Sequence, residues 1–84
     1  MLVGDNGVMS TNNETLAIRD DMIRLGQALK LANVVEDGVD ARDAIQAGDI
    51  QVNGETETRR GRQLHAGDII TIPELDLNLV IETT

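Results

Sequence analysis

An Asn-Gly pair that follows an alternating strand pattern constrains the fold of this 84-residue chain more than any other feature. Ile50 and Val52 alternate with polar residues at a period of two, which is the spacing of a strand with one buried face. Asn53-Gly54 comes next and favours a type I′ turn, because both central residues of that turn have positive φ. The chain then returns through residues 55–58. We therefore predict a β-hairpin at this point.

Two stretches before the hairpin have the apolar spacing of short helices. Apolar side chains recur every three or four positions over residues 22–32, which predicts a helix with one buried face. Asp20 and Asp21 precede it and are typical of a helix N-terminus. A second, shorter helix is predicted over residues 39–47. Gly48 follows it where a left-handed C-terminal cap is expected.

Three further segments have strand patterns. Residues 14–19 alternate apolar and polar side chains, residues 68–72 have an apolar centre that ends at Pro73, and residues 75–82 alternate again. The order is strand, helix, helix, hairpin, strand, strand. This order predicts an α+β fold with two short helices packed on a small, mostly antiparallel sheet of about four to five strands.

Composition limits the domain organisation and the location of the protein. Residues 1–13 are rich in Gly, Asn, Ser and Thr, so we expect a disordered N-terminal tail and a single domain over residues 14–84. The first 15 residues lack the basic start and apolar run of a signal peptide. No segment approaches the roughly 18–20 apolar residues that a membrane-spanning helix needs. We expect a cytoplasmic monomer that does not contact a membrane.

Charge is distributed unevenly along the chain. The net charge of −8 opposes long-range attraction to nucleic acid. Residues 34–54 carry −4, whereas residues 55–62 carry +1 and contain three of the seven basic residues. The chain has no Phe, Tyr or Trp, which excludes the base-stacking platforms of RRM and cold-shock domains. A local phosphate-binding site is compatible with this pattern, but a general polyanion-binding surface is not.

Three motifs follow one another along the chain: Arg24-Leu25-Gly26-Gln27-Ala28-Leu29, Gly48-x-Ile50-x-Val52-Asn53-Gly54 and Gly67-Asp68-Ile69-Ile70. In this order they resemble the S4 RNA-binding domain family. The resemblance extends over residues 24–72 and includes the small stand-alone S4-like proteins of bacteria. The resemblance implies that two helices and the hairpin form a unit that holds structured RNA, such as ribosomal or transfer RNA, mostly through its phosphates.

The resemblance also implies a set of RNA-binding residues. Arg24 lies on the first helix and Arg42 on the second, and the backbone of the turn at Asn53 would approach RNA. The family is often basic after the hairpin, where this chain has an arginine cluster. The complete set is Arg24, Arg42, Asn53, Arg59, Arg60 and Arg62. Guanidinium groups suit this role because they bind phosphate oxygens in pairs and stay charged.

The chain departs from the family pattern on both helices. Gly26 occupies a position that is often acidic, and Asp37-Gly38 stands where many members have Ser-Arg. Asp40 and Asp43 occupy positions that are often Lys. The second helix therefore presents carboxylates that repel phosphate. The alternative hypothesis is an acidic protein-interaction module that has lost RNA binding and takes a basic protein partner.

Individual residues also have structural explanations. Arg24 could pair with Asp20 or Asp21 one turn earlier on its helix. The arginine cluster over residues 59–62 could be a solvated surface balanced by Glu55 and Glu57, since most charge runs have no specific partner.

Nothing in the sequence predicts an enzyme, a metal site or a cofactor. His65 is the only histidine, and it lacks a candidate nucleophile to act on. The chain has no Cys, so it has no disulfide, thiolate zinc site or cysteine nucleophile. Asp37, Asp40 and Asp43 recur every three residues but lack the loop pattern of an EF-hand. We therefore interpret them as a solvated helix face.

Overall fold

A computed structural model describes residues 12–84, in which two helices pack on one face of a five-stranded sheet. The elements in chain order are β1 (Asn12–Ile18), β2 (Ile23–Arg24), α1 (Leu25–Leu31), α2 (Gly38–Gln46), β3 (Gln51–Val52), β4 (Glu55–Thr56), β5 (Gln63–Leu64), β6 (Ile69–Ile72), a 3-10 turn (Pro73–Leu75) and β7 (Leu77–Thr83). The main sheet has the order β1-β7-β6-β3-β4, and β2 pairs with β5 in a separate two-stranded sheet. The predicted α+β architecture is confirmed.

Strand register places the apolar residues on the face that the helices cover. β1 lies parallel to β7, and the other neighbouring strands are antiparallel. Leu16 lies opposite Ile81, and Ile70 lies opposite Leu79. The largest fully buried side chains are Leu25, Leu29, Ile45, Ile50, Leu64, Ile70, Leu79 and Ile81. An aliphatic core from both helices and the sheet thus replaces the missing aromatic residues.

Helix α1 begins later than its apolar spacing predicted. The expected helix covered residues 22–32, but Ile23–Arg24 form β2 and pair with Gln63–Leu64 of β5. The prediction that Asp20-Asp21 would lie at the helix N-terminus was therefore wrong, because these residues lie in a bend before β2.

The boundaries of α2 agree with the prediction to within one residue. The helix runs from Gly38 to Gln46, and the Asp37 side chain accepts a hydrogen bond of 2.9 Å from the Asp40 backbone N–H. This contact satisfies an N–H that has no partner within the helix. Gly48 has a φ of +82°, which is the left-handed conformation expected after the helix end.

The hairpin between β3 and β4 has the predicted turn. Asn53 and Gly54 have φ values of +53° and +87°, as a type I′ turn requires. Val52 pairs with Glu55 on the returning strand. The turn is therefore explained by the two residues that form it.

The two ends of the described chain differ in part from expectation. Pro73 ends β6 as predicted, but Leu75 lies in the 3-10 turn with 52% of its surface exposed, and β7 begins only at Leu77. β1 begins at Asn12, two residues before the expected domain boundary. The rest of the predicted tail lies outside the described residues and stays a prediction.

Candidate nucleic-acid interface

The segment after β4 docks against the start of α1. We call residues 57–62 the arginine loop. The Leu25 N–H donates a hydrogen bond of 2.9 Å to the Arg62 carbonyl, and the Gly26 N–H donates one of 3.0 Å to the Arg60 carbonyl. The first backbone N–H groups of a helix have no hydrogen-bond partner within the helix. Here the carbonyl groups of the arginine loop accept these hydrogen bonds. The arginine loop is therefore fixed relative to α1.

Glu57 organises the arginine loop from its buried side. Only 6% of this residue is exposed. Its Oε1 accepts a hydrogen bond of 2.7 Å from Arg62 Nη1 and one of 3.3 Å from Arg59 Nη2. Its Oε2 accepts bonds of 3.0 Å from Arg59 Nε and 3.1 Å from the Arg59 backbone N–H. One carboxylate thus holds two of the three loop arginines.

These contacts shift the pKa values of Glu57 and Arg59. The side-chain hydrogen bond from Arg59 is the main reason that the pKa of Glu57 falls from 4.5 to about 2, and the bond from Arg62 lowers it further. Burial acts in the opposite direction and raises this pKa. The pKa of Arg59 is raised in turn, chiefly by its hydrogen bond to Glu57. The carboxylate is therefore ionised over the whole neutral range.

Arg60 lines an open hollow between α1, the start of α2 and the arginine loop. The hollow has a volume of about 350 Å³, which is within the range of ligand clefts. Three cationic side chains line it, Arg24, Lys30 and Arg60, and no carboxylate does. Among residues 12–84, none of the three makes an ion pair with a carboxylate. We call this site the cationic hollow.

Backbone contacts position the cations of the hollow. Arg24 Nη1 donates a hydrogen bond of 3.3 Å to the carbonyl of Gly61, so this guanidinium lies beside the arginine loop. The predicted alternative, a pair between Arg24 and Asp20 or Asp21, does not occur in the described part of the chain. Lys30 comes from the last turn of α1.

Lys30 is not among the site residues predicted from the sequence. A single lysine on a helix gives no local signal beyond its exposure. Its neighbour Gln27, three residues earlier, also lines the hollow. Residues three positions apart lie on the same face of a helix. The sequence does not show, however, that the arginine loop lies against this face.

Besides Arg59 and Arg62, two more of the predicted site residues lie outside the cationic hollow. Arg42 is exposed on α2, and its Nε lies 3.8 Å from Asp43 Oδ1. Asn53 uses its side chain within the fold, since its Nδ2 donates to Asp68 Oδ1 at 3.1 Å and its Oδ1 accepts from the Ile69 N–H at 3.0 Å. The Asn53 side chain therefore ties the hairpin to the start of β6.

The six predicted site residues thus separate into three groups. Two of them, Arg24 and Arg60, meet in the cationic hollow. Two others, Arg59 and Arg62, bind Glu57. The last two are Arg42 and Asn53. The alternative explanation by Glu57 therefore applies to only part of the arginine cluster.

A second hollow shares Gly61 with the cationic hollow and is less suited to an anion. Arg59, Arg62 and His65 line it, but so does Asp68. The Asp68 carboxylate accepts a hydrogen bond of 2.8 Å from the His65 backbone N–H, which is the main cause of its lowered pKa. This hollow therefore contains a permanent negative charge at neutral pH.

The described residues offer no other obvious chemistry. Residues 12–84 contain no group of three His, Cys, Asp or Glu side chains that could hold a metal ion. Within the same range, every helix is too short or too polar to cross a membrane. The cationic hollow is therefore the candidate functional site of the described residues.

Two comparisons bear on this site. The sequence model of the S4 domain matches residues 16–80, a range that includes both helices and the arginine loop. The chain is also 42% identical over 57 residues to a protein of Bacillus subtilis (strain 168) named "Probable ribosome maturation protein RlbA". That alignment covers 68% of this chain and 80% of the relative.

Proposed function

Because the chain belongs to the S4 domain family, we propose that it is an RNA-binding module that holds structured RNA by its phosphates at the cationic hollow. The resemblance that its ordered motifs indicated is confirmed by the match over residues 16–80. The relative's name assigns that protein to ribosome maturation. This name supports ribosomal RNA as the class of target.

The composition of the cationic hollow carries the proposal. Its three cationic side chains are free of carboxylate partners among residues 12–84, although the whole chain has a net charge of −8. Guanidinium groups bind phosphate oxygens in pairs, and an ammonium group adds a point charge. Like charges that line one hollow repel one another, and the phosphates of an RNA backbone would replace this repulsion with attraction.

The other loop arginines have a supporting role in this proposal. The Arg59 side chain is 74% exposed although it binds Glu57, so its free N–H groups can still reach an RNA strand beside the arginine loop. Arg62 is more enclosed, with 35% of its side chain exposed. We assign to Arg62 mainly the task of holding the loop. Arg42 and Asn53 lie outside the hollow, and the proposal gives neither side chain a phosphate contact.

The proposed recognition reads phosphate position and helix shape. The chain has no aromatic side chain on which a base could stack. Structured RNA displays phosphates and 2′-hydroxyl groups in a fixed geometry that a rigid cationic site can match. We therefore expect binding that depends on RNA structure and salt more than on base sequence.

The test is fluorescence anisotropy with a labelled, structured ribosomal RNA fragment at about 50 and 200 mM salt. The wild type should bind, and the R24A/R60A variant should bind at least about tenfold more weakly, because two charge-assisted contacts are lost. R42A is the matched control, since Arg42 is an exposed arginine outside the hollow. Circular dichroism of each variant checks folding.

Two results would contradict the proposal. The first is absence of binding by the wild type at the lower salt concentration, where salt screens the attraction between the protein and RNA least. This result would show that the protein does not bind that RNA. An equal loss in R42A and R24A/R60A would remove the hollow as the binding site.

The alternative function rests on a different surface. Helix α2 presents Asp40 and Asp43 to solvent beside Val39, which is 57% exposed. An exposed apolar side chain among carboxylates suits a basic protein partner. The same anisotropy experiment separates the two hypotheses, because this module would bind no RNA even at low salt.

A further inference from the structure

We infer that Gly26 is a positioning residue for the cationic hollow, because the absence of a side chain at this position lets the stem of Arg60 lie against α1, in the hollow that Arg24 also lines. This inference rests on the proposed function, since it concerns the residue that places one of the RNA-binding groups. Gly26 would itself make no side-chain contact with RNA.

The space over Gly26 is occupied by Arg60. A Cβ atom at position 26 would lie 2.6 Å from Arg60 Cγ and 3.2 Å from Arg60 Cδ. Two carbon atoms in contact are normally about 3.5–4.0 Å apart. Any side chain at this position would therefore displace the stem of Arg60.

The backbone of the arginine loop cannot easily follow such a displacement. The Gly26 N–H holds the Arg60 carbonyl at 3.0 Å, and the Leu25 N–H holds the Arg62 carbonyl at 2.9 Å. The new Cβ would lie 3.6 Å from the Arg60 carbonyl oxygen, which is an ordinary contact. The backbone can therefore stay in place while the Arg60 side chain turns to another rotamer.

The conformation of Gly26 does not itself require glycine. It is the second residue of α1, and it is absent from the residues of the described chain that have positive φ. Alanine is the better helix former at such a position. Space for Arg60 is therefore the reason that a glycine is needed here, and the cost to the helix is offset by the placement of a cation in the hollow.

The test compares G26A, R60A and the double variant G26A/R60A. G26A should keep the melting temperature of the wild type or raise it, yet lose about five- to tenfold in RNA affinity, as R60A does. The double variant should show no further loss, because both changes remove the same contact. R42A is the control, since Arg42 is exposed and lies outside the hollow.

A measurement without RNA makes the inference independent of the binding assay. The ¹⁵N relaxation of the Arg60 Nε should indicate a restrained side chain in the wild type and a mobile one in G26A. If the wild type binds no RNA, the proposed function fails, while this measurement still decides the role of Gly26.

Three results would overturn the inference. The first is wild-type RNA affinity in G26A when R60A has lost affinity. The second is a fall in the melting temperature of G26A, which would mean that the clash is transmitted to the core. The third is equal mobility of Arg60 Nε in the wild type and G26A.

Discussion

The carboxylate of Glu57 accepts a hydrogen bond of 2.7 Å from Arg62 Nη1 inside a loop that the sequence marks only as basic. Since Glu57 is 6% exposed, the pair brings a negative charge under a positively charged surface. The loop carbonyls accept hydrogen bonds from the first backbone N–H groups of α1. The contact of two side chains thus sets the position of the segment that lines the cationic hollow.

Because the pKa of Glu57 is lowered in the folded protein, we expect the free energy of unfolding to decrease at acid pH. The folded-state pKa of about 2 lies below the value of 4.5 expected for the unfolded chain. This contribution to the free energy of unfolding is therefore complete above pH 4.5 and is lost as the pH falls toward 2. Urea denaturation of the wild type at several pH values between 7 and about 2.5 should show the loss.

E57Q separates this effect from that of the other carboxylates. At neutral pH the variant should be less stable than the wild type, because a neutral amide binds the two arginines more weakly. The difference in the free energy of unfolding should shrink as the pH falls, since the wild-type carboxyl becomes neutral too. A difference that stays constant from pH 7 to acid would contradict the assignment.

Removal of Arg62 should destabilise the fold more than removal of an exposed arginine. R62A takes the shortest hydrogen bond away from a buried carboxylate, and we expect a loss of about 1–3 kcal/mol in the free energy of unfolding. R42A should change stability by less than about 0.5 kcal/mol. Equal effects of the two variants in urea denaturation would show that Glu57 does not depend on Arg62.

The parts of the fold that local residues determine could be predicted from the sequence. Asn53-Gly54 fixes its own turn, and Asp37 and Gly48 bound α2, because each acts on a backbone group a few positions away. The start of α1 could not be found in this way. Its first amides bind the carbonyls of Arg60 and Arg62, far along the chain.

The candidate site was predictable to a similar extent. The basic character after the hairpin identified the arginine loop, but nothing in the pattern Arg59-Arg60-x-Arg62 separates the middle residue from its neighbours. That separation depends on the burial of Glu57, which holds two arginines and leaves the third to the hollow. Long-range packing therefore decides which charges are available.

The hairpin turn predicts a conformational effect of substitution at Gly54. Its φ of +87° is unfavourable for alanine, so G54A should reduce the free energy of unfolding by about 1–2 kcal/mol. G38A is the control, because its Cβ meets nothing within 4 Å and its φ is not positive. Thermal unfolding should show a lower melting temperature for G54A alone. A similar fall in both variants would contradict this explanation.

The salt dependence of the RNA affinity gives the number of cationic side chains that contact phosphate. If Arg24, Lys30 and Arg60 each neutralise one phosphate, the logarithm of the affinity should fall with the logarithm of salt concentration at a slope of about −2 to −3. R24A and K30A should each reduce the magnitude of that slope by about 0.7–0.9. Anisotropy titrations at four or more salt concentrations measure it.

The control for this count is again R42A, whose slope should equal that of the wild type because Arg42 lies outside the cationic hollow. Lys30 is the most informative residue, since only its place in the folded hollow indicates a role. A slope unchanged in K30A but reduced in R24A would limit phosphate contact to the arginines. A reduced slope in R24A, K30A and R42A alike would instead show that phosphate contacts extend beyond the cationic hollow.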